Sequence, residues 1–365
     1  MLKTAGGSEQ ALPLLDEARR RFEAVANERA YKAAEGMGSA CLTERGDCLR
    51  NLGRLDEAAA AYGEAIRWDE QSGAERDVAV GKLQLGTVRM LQRRYQEALE
   101  AHEEARERFA RLGEPGTVAV AWHQTGIAYQ QAGEPEAAQD AYRKSLAILV
   151  RLGDVTGQAS TLGQLGNLYD DVLGRPEEAA AFYRQAADKY VEIGDVANEG
   201  RASNNLGDTL RKLHRLDEAR QEIRRAIECN AQFGHVALPW MTWGILAAME
   251  TDAGNPTAAA EAKRKAIECY LAYRRDGGEN HDADGRICLA VTQPLLADDP
   301  AAAVSLLQQI AARPDATGPW RTFIQALQII VAGSRDRALA DAPDLDHTMA
   351  AEILFLLDKL EKAGK

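Results

Sequence analysis

Residues 158–198 read QASTLGQLGNLYDDVLGRPEEAAAFYRQAADKYVEIGDVAN. Apolar residues over 162–169 recur every three or four positions, which places them on one face of a helix. Gly174 then ends this helix, and Pro176 begins a second one at the first-turn position that proline tolerates. The second helix runs to the region of Gly194, so the stretch predicts a pair of antiparallel helices.

This two-helix unit recurs along the chain at a nearly constant spacing. One interval is longer than the others by one residue. This extra residue lies between Gly166 and Ala179, and we expect it in the turn near Gly174. One helix pair cannot bury its own apolar face, so we expect the units to stack into one continuous solenoid. The clearest recurring set is Gly46, Gly86, Gly126, Gly166 and Gly207, which are spaced by 40, 40, 40 and 41 residues.

Two of the units carry the same small and apolar residues at matching positions. They are Leu162, Leu165, Gly166, Tyr169, Ala179, Tyr183 and Ala186 in one unit and Trp122, Gly126, Tyr129, Ala138 and Tyr142 in the other. This pattern resembles the tetratricopeptide repeat (TPR), although Thr125, Arg89 and Ala247 replace its usual Leu, Tyr and Gly. The long period resembles the TPR arrays of kinesin light chains, spindle-orientation adaptors and bacterial signalling ATPases. The resemblance implies an all-α fold, a right-handed superhelical α-solenoid of antiparallel helix pairs.

The start of the chain differs from the central repeats. The sequence Leu-Asp-Glu-Ala at 15–18 recurs at 55–58, where it begins a second helix. We therefore expect the chain to open, after the leader Met1–Gly7, on half a repeat, which is either a cap or the edge of a fragment of a longer protein. The predicted layout is a leader and half-repeat at 1–38, six TPR-like repeats at 39–278, and a degenerate repeat with C-terminal capping helices at 279–365.

The end of the chain predicts helices without a clear repeat pattern. The last of them carries Met349, Ile353 and Leu357 on one face, with charged residues on the other. We expect it to cap the open end of the solenoid, with association with a partner or a second copy as the alternative. The expected helices lie near 284–297, 300–312, 318–333 and 346–362.

The resemblance to TPR proteins places the first helix of each pair on a concave groove. It implies that Gln84, Gln124, Gln164 and Asn205 share one groove position, with Asn167 and Asp208 close to this row. An amide both donates and accepts hydrogen bonds, so a ladder of amides suits the backbone of an extended peptide. The alternative is that these residues are an ordinary solvated helix face.

The same register places further residues in the groove. His123 and Asn204 lie beside the amide row, while Arg201 and Arg211 give a basic end. A basic end would set the direction of a bound peptide. Leu83 and Met90 offer the best apolar docking spot, with packing between repeats as the alternative. The predicted peptide groove therefore combines amide, basic and apolar parts.

Composition excludes several classes of function. The 365 residues carry a net charge of -12, whereas a dedicated nucleic-acid binder would usually show a basic stripe. The sequence lacks a secretory signal and an apolar run long enough for a transmembrane helix, so no membrane partner is expected. Five cysteines without a C-x-x-C spacing argue against a disulfide framework or a zinc site and favour a cytoplasmic protein.

No catalytic motif occurs in the sequence. It contains no P-loop, no G-x-S-x-G and no H-E-x-x-H, so we expect no enzyme activity, no cofactor and no metal. The function predicted is a non-catalytic scaffold that binds a protein or peptide segment in its groove. Two alternatives remain open: a solenoid that assembles into homo-oligomers through its terminal helices, and a sensory arm of a larger bacterial signalling protein. Richness in Ala, Arg and Gly favours a bacterial source.

Overall fold

The computed structural model describes residues 5–29, 32–313 and 317–364, and all regular elements within these ranges are helical. The predicted all-α fold is therefore confirmed. The α-helices are α1 (Ala5–Arg29), α2 (Lys32–Asn51), α3 (Leu55–Ser72), α4 (Glu75–Leu91), α5 (Tyr95–Arg111), α6 (Pro115–Ala132), α7 (Pro135–Leu152), α8 (Val155–Asn167), α9 (Pro176–Ile193), α10 (Val196–Lys212), α11 (Leu216–Asn230), α12 (Pro239–Asp252), α13 (Pro256–Arg275), α14 (Ala283–Leu296), α15 (Pro300–Ala311), α16 (Pro319–Val331) and α17 (His347–Lys362).

The helices form two compact units, Met1–Gly194 and Asp195–Lys365. Within each unit, most consecutive helices pack against each other, which is the arrangement of an α-solenoid. Helix α1 begins at Ala5 and packs on α2, so Ala5–Gly7 of the expected leader belongs to this helix. The rest of that leader, Met1–Thr4, lies outside the described residues. None of the described helices is long and apolar enough to cross a membrane.

Glycine on the first helix of a pair lets the second helix approach closely. A Cβ on Gly126 would lie 2.6 Å from the Tyr142 ring, and a Cβ on Gly166 would lie 2.5 Å from the Tyr183 ring. Real Cβ atoms do not come so near to another heavy atom, so only glycine fits here. The recurring glycines of the sequence are therefore the points of closest approach within these helix pairs.

The extra residue of the fourth repeat lies inside a helix. Residues Leu168–Val172 form a short π-helix, whose wider turn absorbs one residue. Beyond it, the Arg175 amide donates a hydrogen bond to the Tyr169 carbonyl over 2.8 Å. This bond spans one residue more than the matching bond in the other repeats. Gly174 has a left-handed φ of 61°, as do the residues that follow the first helices of other repeats. Our expectation of an insertion in the turn near Gly174 is therefore wrong, because the π-helix has already taken up the extra residue.

The C-terminal helices α14–α17 lie within two residues of their expected bounds. They share an apolar core that includes Phe323, Leu327 and Ile353. Helix α17 also packs on α13, where the fully buried Glu352 accepts a hydrogen bond from the Tyr270 hydroxyl over 2.6 Å. The expected capping role of α17 stays a prediction.

Candidate functional site

The predicted amides of unit Met1–Gly194 differ in how much of their hydrogen-bonding capacity is used. The Gln84 carbonyl accepts from Arg50 over 2.6 Å, and the Gln164 carbonyl accepts from Asn167 over 3.4 Å. The half-buried Gln124 amide makes no hydrogen bond with any described residue. Of these three amides, Gln124 therefore has the most capacity for a ligand.

Asn167 also holds the two helices of its pair together. Its side-chain oxygen accepts a hydrogen bond from the Tyr183 hydroxyl over 2.8 Å. In the first full repeat, Asp47 accepts from Tyr62 over 2.7 Å in the same way. In both pairs, the second-helix tyrosine packs on the recurring glycine (Gly46 or Gly166) and donates to the residue directly after it. The sequence register did not reveal this structural role.

His123 lies half-buried between two repeats. Its Nδ1 is 3.0 Å from the Thr161 hydroxyl, and its ring meets the edge of Tyr142. Burial lowers the pKa of His123 to about 4, so the ring is neutral at pH 7. A neutral ring donates a hydrogen bond from one nitrogen and accepts one at the other, but it offers no charge to a ligand.

The predicted apolar spot lies largely within the packing of the repeats. Met90 is buried against Ala98 and Ala128, and Leu83 packs on the cluster formed around Phe109. Leu91 is the exposed member of this region, at 47%. The structure therefore places Leu83 and Met90 where side chains of neighbouring helices already surround them.

In unit Asp195–Lys365, the structure brings Arg201, Asn204 and Asn205 to one cavity of about 310 Å³. All three residues project from α10. The opposite wall is the segment that joins α11 to α12, and we call the whole site the α10 cavity. Its other lining residues are Ala197, Asn230, Phe233, Val236, Ala237, Leu238, Met241 and Thr242.

The connecting segment makes one side of the α10 cavity apolar. Helix α11 ends at Asn230, and a single 3₁₀ turn follows over Gly234–Ala237. Leu238 adopts a left-handed φ of 48°, which costs a non-glycine residue about 1–2 kcal/mol. Phe233, Val236, Leu238 and Met241 are all exposed, with Val236 at 82%. Apolar residues so exposed in a turn are typical of a binding surface.

Sequence reasoning missed this wall, although a signal existed. The residues that follow Gly234 are His-Val-Ala-Leu-Pro, whereas the matching turns after Gly113, Gly153 and Gly194 begin with Glu or Asp. An apolar run in place of a polar turn departs from the repeat pattern. Such a departure from the repeat pattern makes this turn a candidate binding surface.

The other side of the α10 cavity is polar. The Asn204 side-chain oxygen is buried and has no hydrogen-bond partner. Such an unpaired acceptor costs about 1–3 kcal/mol. Arg201 is exposed at the rim, where it donates a long hydrogen bond of 3.3 Å to Asn198. The cavity thus combines an amide side chain, a cation and an apolar wall.

Asp208 and Arg211 lie further along α10 and bond to each other. Arg211 contacts Asp208 over 3.0 Å and Asp252 over 2.8 Å. Lys212 also contacts Asp208, over 3.2 Å. The guanidinium of Arg211 is therefore neutralised by the protein itself, and the positive charge available at the cavity is that of Arg201.

The structure offers no site for a metal among the residues it describes. No group of three His, Cys, Asp or Glu side chains there is placed to hold an ion. The five cysteines are free thiols. Burial raises the pKa of Cys229 to about 11, so this thiol is not a thiolate at pH 7.

Comparison with known proteins agrees with the geometry. Models of the tetratricopeptide repeat match residues 40–72 and the overlapping stretches 77–151, 118–190 and 157–232. No curated protein matches the chain. Among solved structures, BtubC (BKLC) from P. vanneervenii is 18% identical with a TM-score of 0.55, over 62% of this chain and 92% of that one. The quorum sensor NprR from B. thuringiensis, in its apo form, is 14% identical with a TM-score of 0.51, over 73% of this chain and 79% of that one.

These two structures share the fold with the chain, and their low identity carries no statement about ligands. The repeat models are stronger evidence of kinship, because together they cover more than half of the chain. They also match the stretch in which the glycine–tyrosine contacts join the helix pairs. The chain therefore belongs to the tetratricopeptide repeat family.

Proposed function

We propose that this protein is a non-catalytic interaction module that binds a partner's peptide segment at the α10 cavity. Its family fold is that of a protein-interaction scaffold in general. The observation that carries the proposal is the meeting of Arg201, Asn204 and the exposed apolar wall in one cavity.

Each part of the α10 cavity has a role in this proposal. An apolar side chain of the ligand packs against Phe233, Leu238 and Met241 and removes their exposed surface from water. Asn204 lines the cavity, and its side-chain amide hydrogen-bonds a backbone group of the ligand. Arg201 attracts a carboxylate next to the apolar residue. The expected ligand is therefore a short segment with an apolar residue beside an acidic one.

Peptide selection tests this proposal. Random peptides displayed on phage are selected on the full chain, and the affinity of the winners is measured by fluorescence anisotropy. We expect Arg201→Ala and Asn204→Ala each to weaken binding by about tenfold or more, as loss of a central contact does. Gln308→Ala, at an exposed site of α15 outside the cavity, is the control and should bind like the wild type. Equal affinity for all four proteins would exclude the α10 cavity as the binding site.

We also propose self-association as a second function, favoured by exposed apolar residues at the ends of second helices. Leu152 and Ile193 share one repeat position, directly before the glycine that ends the helix, and both are exposed. The proposal differs from our first expectation, in which terminal helices made the contact. Light scattering over a range of concentrations tests it. The wild type should show an apparent mass above that of the monomer, and Leu152→Glu should lower this mass. A monomer at all concentrations would exclude it.

We further propose that the protein acts in the cytoplasm as the regulatory arm of a bacterial signalling protein. Five free thiols are compatible with a reducing compartment. The long repeat period, which resembles that of signalling ATPase arrays, supports the regulatory role. The coding sequence on both sides of this stretch tests it: a fused or adjacent catalytic domain is expected, and its absence would contradict the regulatory role.

A further inference from the structure

A second cleft, of about 600 Å³, lies in unit Asp195–Lys365 and shares no lining residue with the α10 cavity. Helices α12 and α13 form one side, and the segment before α17 forms the other. The walls are small side chains, including Gly244, Ala248 and Ala260. Lys263, Asp341 and His347 provide its charged and titratable groups, together with Asp346.

The cleft exists because α12 carries small residues on this side. A Cβ on Gly244 would lie 2.4 Å from the His347 ring, so the C-terminal segment can pack here only against glycine. In the third and fifth repeats, the same position holds the larger residues His123 and Asn204. The fold thus places its own C-terminal segment over α12 and leaves an alanine-walled space beneath it.

Lys263 lies half-buried in this cleft without an ion pair among the described residues. Burial lowers the pKa of Lys263, while Asp341, Asp344 and Asp346 act against that change from beyond ion-pairing distance. Burial likewise lowers the pKa of His347, whose Nε2 is buried and has no partner. A partly desolvated ammonium without a partner is costly, and a carboxylate would remove most of that cost.

We propose that this cleft binds a small ligand through a carboxylate held by Lys263, and that an α-amino acid fits it best. The aspartates at the rim disfavour a ligand that brings only negative charge. The ammonium group of an amino acid would face Asp341, and its carboxylate would face Lys263. The alanine walls accept a small or apolar side chain and make no demand for further hydrogen bonds.

Thermal unfolding of the full chain tests the proposal, with L-alanine and L-leucine as probes. Ligands that bind the folded state raise the Tm by mass action. Each amino acid is compared with its amide, which lacks the carboxylate, and with its N-acetyl derivative, which lacks the ammonium and resembles the end of a peptide. Titration calorimetry then gives the affinity of any probe that shifts the Tm.

Lys263→Met keeps the aliphatic stem and removes the charge. Lys265→Met is the matched control, because Lys265 lies on the same helix outside the cleft and already pairs with Glu261 over 3.5 Å. We expect an amino acid to raise the Tm of the wild type and of Lys265→Met, and to bind Lys263→Met about tenfold more weakly or worse. The amides should have no effect.

Three results would overturn the proposal. A Tm that none of the probes changes would exclude a site for such ligands, and equal binding by Lys263→Met would exclude the carboxylate contact. N-acetyl derivatives that bind as well as the amino acids would exclude the role given to the ammonium group. The unliganded Tm of each variant shows whether it folds, so a loss of binding is read only from folded protein.

Discussion

His102 is a buried histidine at a position where three other repeats carry tyrosine, namely Tyr62, Tyr142 and Tyr183. It is fully buried, and neither ring nitrogen has a hydrogen-bond partner. Burial lowers the pKa of His102 from 6.5 to about 4. The neutral ring is therefore favoured in the folded state, and its contribution to stability is complete above pH 6.5. That contribution is lost as the pH falls from 6.5 towards 4, by about 3 kcal/mol in total.

We expect His102→Phe to lower the acid sensitivity of the protein. Between pH 7 and pH 5, the free energy of unfolding should fall by about 2 kcal/mol less in this variant than in the wild type. Urea unfolding at the two pH values measures the difference. His281→Phe, at an exposed site, is the control and should behave like the wild type. The same pH dependence in all three proteins would contradict the account.

Two glycines of α8 give opposite predictions for the same substitution. Gly166→Ala would drive a Cβ into the Tyr183 ring and should destabilise the protein by about 1–3 kcal/mol. Gly163 has no atom within 4 Å of the position of its Cβ. Gly163→Ala should therefore stabilise the helix by about 0.5–1 kcal/mol. Thermal unfolding of both variants tests the pair, and equal shifts would contradict the packing role of the signature glycine.

At the scale of the element, the π-helix Leu168–Val172 makes a prediction about deletion. Removing Val172, which is 45% exposed, restores the spacing between Tyr169 and Gly174 found in other repeats. The shortened helix should become a regular α-helix, with a Tm close to that of the wild type. Removing Val150, which is 57% exposed on the regular helix α7, should lower the Tm strongly because it rotates the residues that follow. Equal losses would show that the π-helix is not the insertion.

The elements were largely predictable from the sequence, because Gly and Ala at a fixed spacing report contacts between helices. The location of the inserted residue was not predictable. The repeat spacing only places it between two recurring residues, and the backbone hydrogen bonds determine its position between them. The partners of the amides were also hidden: Gln84 bonds to Arg50 from the preceding repeat, and Asn167 bonds to Tyr183. Periodicity gives the face on which a side chain lies, but the conformation of that side chain decides its partner.

At the scale of the whole molecule, two sites belong to the unit whose sequence departs most from the repeat pattern. The α10 cavity depends on the apolar turn after Gly234, and the second cleft depends on Gly244 and the C-terminal segment. Neither feature belongs to the repeat itself, so the resemblance to TPR proteins did not predict them. Regular repeats form the scaffold, and the candidate sites lie where the sequence departs from the repeat pattern.

The central claim is that a partner segment binds at the α10 cavity, and the exposed Val236 tests it most directly. Val236→Asp places a charge on the apolar wall at a residue 82% exposed, where folding should be unaffected. The measurement is the Kd of a selected peptide for the wild type and for this variant. We predict that the Kd rises by about tenfold or more, because the charge meets both the apolar side chain and the acidic residue of the ligand. An unchanged Kd, with an unchanged Tm, would contradict the claim.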